Sequence, residues 1–171
     1  KINLLVLITY SIICSFLFIE SKNILVIWLG DTNILKDIFI IEILCVGLIF
    51  NAMSFLSLNE AYAKGFSRPV FISYFVQIPF FLLLVYFSSI NYGLLGVAFA
   101  WSIRAFIDYS ILWFIANNGG RLVHLYFLSL IKIISIFAVT ILFFYSLNLI
   151  ILIDWIRIIF EILFGLFVLF S

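Results

Sequence analysis

Long apolar runs alternate along this chain with short polar clusters, and the spacing of the clusters gives the first structural reading. A helix needs about 20 apolar residues to cross the hydrocarbon core of a bilayer. Cutting the sequence at its polar clusters yields six runs of that order: 2–19, 38–58, 70–87, 94–116, 123–145 and 149–170. The first stops at Glu20, Ser21, Lys22 and Asn23; the stretch 24–30 after it, with Trp28, is too short to span and reads as interfacial. Asn59, Glu60, Lys64, Gly65, Ser67, Arg68 and Pro69 separate the second run from the third. Ser88, Ser89, Asn91 and Gly93 mark a tight turn, which makes the third and fourth runs a hairpin. The sixth carries Asp154, Arg157 and Glu161 on one face, either a charged ladder inside a span or a solvated, interfacial face. Runs of this length lack period-2 alternation, so membrane β-barrel strands are excluded. The predicted fold is all-α: a polytopic transmembrane helical bundle of about six helices, one membrane region over 1–171.

Composition supports the membrane reading and narrows the function classes. Hydrophobic residues make up 67% of the sequence and charged residues 10%, with a mean hydropathy of +1.39. Soluble domains run at roughly 45–50% apolar and about 25% charged, so the excess here has to face a solvent that is itself apolar. The net charge of +1 points to no acidic partner, and no basic stripe exists to neutralise phosphates, which argues against nucleic acid. Cys14 and Cys45 both fall inside apolar runs and read as small buried hydrophobes. The lone His124 has no Cys or His neighbour at ligand spacing, so neither a metal nor a cofactor is expected. The sequence opens at Lys1 without Met and its last apolar run breaks off at Ser171, so it reads as a piece of a longer protein. Nothing at its start has the layout of a signal peptide. Counting loop cations sets Lys1, Lys64, Arg68 and Arg121 against Lys22 and Lys36, which favours a cytoplasmic Gly65 loop.

Ionisable and amide side chains inside the runs are the candidates for function, because a charge at bilayer depth costs about 2.5–3.5 kcal/mol on insertion scales and needs a partner or a wet cavity. Arg104 lies near the middle of the fourth run. Asp108, four residues on, shares its face and can pair with it, and Trp101 belongs to the same stripe. Gly93, Gly96 and Ala100 form an adjacent seam of small residues that would let another helix come close. Three roles stay open for the pair: mutual neutralisation that fixes packing, the lining of an aqueous transport path, or a membrane boundary placed elsewhere. In the second run Gly47, Asn51 and Ser54 share a face, as interhelical glue or as pathway residues, while Glu42 lies on another face. Gln77 precedes Pro79 by two residues, and the proline should kink the third helix beside that amide. Lys132, inside the fifth run, either snorkels or pairs with a neighbouring acid.

The stretch from Trp28 to Asp108 resembles the Wzx-type polysaccharide (O-antigen repeat unit) flippases of the multidrug/oligosaccharidyl-lipid/polysaccharide exporter superfamily. The features match in order. Trp28-Leu29-Gly30 precedes a helix carrying Asn51, and Ala63-Lys64-Gly65 leads through Arg68-Pro69 into the next. Then comes Tyr92-Gly-Leu-Leu-Gly-Val-Ala-Phe-Ala-Trp101, followed by Arg104 and Asp108. The set covers roughly half of the chain, and the first and last runs match in hydropathy alone. One departure is Gln77, where members often carry a carboxylate; a neutral amide cannot take part in proton coupling.

The resemblance implies the C-terminal half of a two-lobed, non-enzymatic exporter in the bacterial inner membrane. Its implied substrate is an undecaprenyl-diphosphate-linked glycan, and its implied partners are a polysaccharide polymerase and a chain-length regulator. Arg104, Asp108, Trp101, Asn51 and Gln77 would lie on the substrate pathway, with Lys64 and Arg68 as basic loop residues. Arg suits a diphosphate because its planar fork presents charge and paired donors together. The alternatives are another exporter of the superfamily, for capsular or teichoic polymers or for drugs, and a membrane polysaccharide polymerase. A polymerase generally needs a large loop or a clustered His/Asp site.

Overall fold

The computed structural model describes residues 2–29, 35–117 and 123–150, and these form four helices and, among them, no strand. They are α1 (Ile2–Leu29), α2 (Leu35–Ala63), α3 (Ser67–Ala116) and α4 (Val123–Ile150). All four are long and apolar enough to cross a membrane. The all-α membrane bundle is therefore as expected, but with four helical elements in place of six. The expected third and fourth segments fall within the single element α3, and the sixth, beyond residue 150, lies outside the described residues, as do Asp154, Arg157 and Glu161.

α1 also runs straight through the polar cluster that was expected to end it. Glu20 and Ser21 are buried, the Ser21 hydroxyl donates to the Phe18 carbonyl at 3.0 Å, and Asn23 donates to the Glu20 carboxylate at 2.7 Å. Polar side chains satisfied along their own helix leave no reason for the backbone to break, so the stretch after Asn23 continues the helix to Leu29.

Among the described residues, two glycines set reversals of the chain. Gly65, at φ 80°, terminates α2 in a Schellman turn: its N–H donates to the Tyr62 carbonyl at 2.9 Å and the Phe66 N–H to that of Ala61 at 2.9 Å. Phe66 then packs against the cluster containing Ala61, the apolar contact that usually accompanies this turn. The Lys64 ammonium reaches across to the Ala116 carbonyl at 2.8 Å, a cation on the C-terminus of α3.

Gly93 is the second reversal. Its φ of 59° and ψ of −138° are the non-helical dihedrals inside α3, and they divide the element into legs 67–92 and 94–116. At roughly 1.5 Å per residue each leg can span on its own. Residues equidistant from the turn meet: Gln77 bonds Asp108, Phe81 lies under Arg104, and Val70 packs with Leu112 and Ala116. The legs are thus an antiparallel hairpin. Close approach behind the turn requires Gly96, where a Cβ would collide with the Ser88 carbonyl. Pro79 lies inside the first leg, and the non-helical dihedrals of α3 fall at Gly93, within the tight turn expected there.

α2 runs parallel to the second leg of α3. Gly47 allows the approach, because a Cβ there would lie 2.5 Å from Ser102 Oγ and 2.8 Å from the Trp101 ring, and the Ser102 hydroxyl donates to the Ile43 carbonyl at 2.9 Å. Further along, Phe50 meets Phe106 edge to face. α4 closes the bundle through hydroxyl contacts, Tyr109 with Ser129 at 2.8 Å, Ser110 with Tyr126 at 2.6 Å and Ser15 with Thr140 at 2.7 Å. Such bonds suit helices in lipid, where apolar burial gives little driving force for association. The main core draws on all four helices through Leu7, Cys14, Ile49, Tyr109, Tyr126 and Ile133. Large apolar residues of the first leg, among them Phe71, Phe75, Phe80 and Leu83, face outward.

The dihedrals of Gly93 are essentially restricted to glycine, so Gly93→Ala should destabilise the purified chain by about 1–3 kcal/mol. Ser89→Ala, at an exposed position four residues earlier, should leave stability unchanged. Unfolding in a denaturing detergent titration would separate the two, and equal stability of both variants would count against the turn assignment.

Candidate functional site

The hairpin places charged and amide groups between its two legs at about half their length. Asp108 is buried at 7% exposure, and Gln77 Nε2 donates to its Oδ1 at 3.5 Å. Ser54 of α2 also faces this carboxylate. Ser54 donates to the Asn51 carbonyl at 2.8 Å, the local bond by which a serine in lipid satisfies its own hydroxyl.

Arg104 turns the other way. Its guanidinium carbon lies 4.8 Å from the centroid of the Phe81 ring, and no ion pair with Asp108 closes within 4 Å. The i,i+4 pairing expected from the sequence is therefore not made. The guanidinium lies over the Phe81 ring of the facing leg instead. A cation on an aromatic face is stabilised by roughly 0.5–2 kcal/mol, and the ring leaves the N–H donors of the guanidinium uncommitted.

Two cavities flank this arrangement. One of about 410 Å³ is lined by Gln77, Phe80, Phe81, Leu84, Arg104 and Ile107 among others, and another of about 220 Å³ by Tyr74, Gln77, Ile78, Phe81, Leu82 and Arg104. Gln77, Phe81 and Arg104 border both, and Gln77 Oε1 is buried without a hydrogen-bond partner. The site thus offers an anion one unneutralised guanidinium inside largely apolar walls. Its polar acceptors belong to Gln77 and Tyr74.

The other candidates are placed differently. Trp101 packs on Gly47 as part of the contact between α2 and α3. The Asn51 side chain is exposed and forms no hydrogen bond among the described residues. Lys64 and Arg68 are exposed at the Gly65 end of the bundle, and Lys64 is committed to Glu60 at 2.6 Å and to the Ala116 carbonyl. No cluster of three or more His, Cys, Asp or Glu residues able to hold a metal occurs among the described residues. Sequence reasoning passed over Phe81, one of 22 phenylalanines, whose one signal is that it follows Gln77 by four positions on the same helix face. It also treated Cys14 and Cys45 separately, whereas their thiols meet between α1 and α2.

A double-mutant cycle identifies the partner of Arg104. Arg104→Met and Phe81→Leu should be coupled by about 0.5–2 kcal/mol in detergent unfolding, and Arg104→Met with Asp108→Asn should be coupled less. Strict additivity of the first pair would refute the ring contact.

Over 88 residues, 52% of this chain, the sequence is 33% identical to a protein of Shigella flexneri described as "Putative O-antigen transporter". The matched part spans 21% of that relative's length. No family model matches the chain, and no solved structure does. Taken with four helices of spanning length, the chain is a multi-pass membrane protein similar, over half its length, to an O-antigen transporter.

Proposed function

We propose that the chain is part of a Wzx-type flippase that moves lipid-linked oligosaccharide repeat units across the bacterial inner membrane during surface polysaccharide assembly. The observation that carries this reading is the Arg104 guanidinium, held on Phe81 inside the hairpin and not neutralised by Asp108. A half-buried charge at membrane depth without an ion-pair partner is costly to keep, and an anionic substrate would offset that cost when it arrives. The diphosphate of an undecaprenyl-linked glycan fits the planar guanidinium fork with two parallel charge-assisted hydrogen bonds. Similarity to an O-antigen transporter supports the same substrate class.

In this reading Phe81 aims Arg104 into the cavities, and Gln77 keeps Asp108 turned away so that the guanidinium stays free for the substrate. Gln77 being an amide, proton coupling does not run through that position. Transport proceeds by rocking this helical unit against the rest of the exporter, with the site near mid-depth. No covalent step is assigned to any residue. The delivered units pass to a polymerase working with a chain-length regulator.

Losing a charge-assisted contact of this kind is worth roughly 1.5–3 kcal/mol, so Arg104→Met in the full-length protein should cut transport on the order of tenfold to a hundredfold at unchanged membrane abundance. Arg104→Lys should restore part of it. The readout is labelled glycan lipid probed by an impermeant periplasmic reagent: a deletion strain should hold complete units on the cytoplasmic leaflet. Single units reaching the outer surface at normal rates in that strain, with no second flippase present, would overturn the assignment. Full complementation by Arg104→Met would remove Arg104 from the pathway.

A further inference from the structure

A third cavity, of about 580 Å³, lies on the opposite side of the second leg of α3 and is bounded by all four helices. Tyr109 and Trp113 face it, whereas Arg104 and Ile107 face the hairpin cavities. Its walls divide by chemistry. Leu4, Leu7, Met53, Leu56, Ile133 and Ile136 make an apolar surface, and Ser57, Glu60, Ser129, Lys132 and Trp113 supply the polar atoms. Leu4 and Lys132 are exposed, so the cavity is reachable from outside the bundle.

The charges at its rim do not cancel. Glu60 is bound to Lys64 at 2.6 Å, and Lys64 in addition caps the Ala116 carbonyl. Lys132 has no ion-pair or hydrogen-bond partner among the described residues. It is the cation left over at this cavity, on a flexible stem that can carry its ammonium toward the Gly65 end of the bundle where Glu60 and Lys64 lie. The indole N–H of Trp113 and the hydroxyl of Ser57, neither bonded to a described partner, are donors of the kind that phosphate oxygens accept. The cavity is large enough for part of a lipid.

From this geometry we infer that the cavity between α1, α2, α4 and the second leg of α3 is a binding site for an anionic diacyl phospholipid, with its phosphate on Lys132 and an acyl chain along Leu7, Met53 and Ile136. The bound lipid comes from the leaflet on the Gly65 side and is separate from the transported substrate, so the inference does not depend on the function of Arg104. Basic pockets between transmembrane helices take anionic headgroups in this way.

Trp113 reports occupancy directly. The chain reconstituted in phosphatidylcholine vesicles would be titrated with brominated phosphatidylglycerol or brominated phosphatidylcholine, and the Trp113 signal taken as the difference from Trp113→Phe. One lysine near the surface is worth about a fivefold preference, so quenching should need about fivefold less of the brominated anionic lipid. Lys132→Ala, at an exposed position, should abolish the preference, and Arg68→Ala, at the same end but outside the cavity, should keep it. Equal quenching by the two lipids, no quenching of Trp113, or an unchanged preference in Lys132→Ala would each overturn the site. Loss of the preference in Arg68→Ala to the same degree would do so as well, because it would mean diffuse attraction to the whole basic end.

Discussion

Inside hydrocarbon a polypeptide has no water with which to satisfy its backbone, so it must stay helical until it can reverse within very few residues. Among the described residues the reversals at Gly65 and Gly93 meet that constraint, and the contacts between α2 and the two legs of α3 follow from where they fall. Gly65 closes α2 with a Schellman turn whose donors are used at once, and Gly93 reverses the chain in dihedrals that an L side chain does not tolerate. Because the turn at Gly93 is so short, the register between the legs has no freedom. Gln77 must meet Asp108 and Phe81 must meet Arg104. Gly96 then lets the legs close up behind the turn, against the Ser88 carbonyl.

That fixed register handles the two charges, Asp108 buried and Arg104 half-buried, differently. Asp108 receives an amide donor from the facing leg and sits among groups that suit a carboxyl, and Arg104 receives an aromatic face. Pairing them with each other would have made a closed ion pair of little use to a ligand. A ring supports a cation without occupying its N–H donors, which is why this arrangement suits a site that has to accept an anion and release it again.

The second leg of α3 also divides the bundle's labour between its faces. One face, with Arg104 and Ile107, borders the hairpin cavities; the other, with Tyr109 and Trp113, is tied to α4 by hydroxyl and aromatic contacts and borders the larger cavity. Where α2 meets this leg, approach is set by Gly47 and held by the Ser102 hydroxyl on a backbone carbonyl. Small residues and hydroxyls thus do for these helices what bulky apolar packing does in a water-soluble core.

Hydrophobic run length was enough, without coordinates, to establish an all-α membrane protein, because a span needs so many apolar residues that composition alone excludes a soluble fold. The Gly65 and Gly93 punctuation was legible for the same reason: few other residues can reverse a helix so abruptly. Polar residues inside a run were a poorer guide. Glu20, Ser21 and Asn23 looked like a helix end, yet Ser21 bonds back along its own helix and Asn23 bonds Glu20, so α1 continues. The partners of Arg104, Asp108 and the two cysteines were decided by tertiary structure alone. Spacing along one helix says which side chains share a face, but what a face meets depends on the register of the neighbouring helix, and that register is fixed by turns many residues away in sequence.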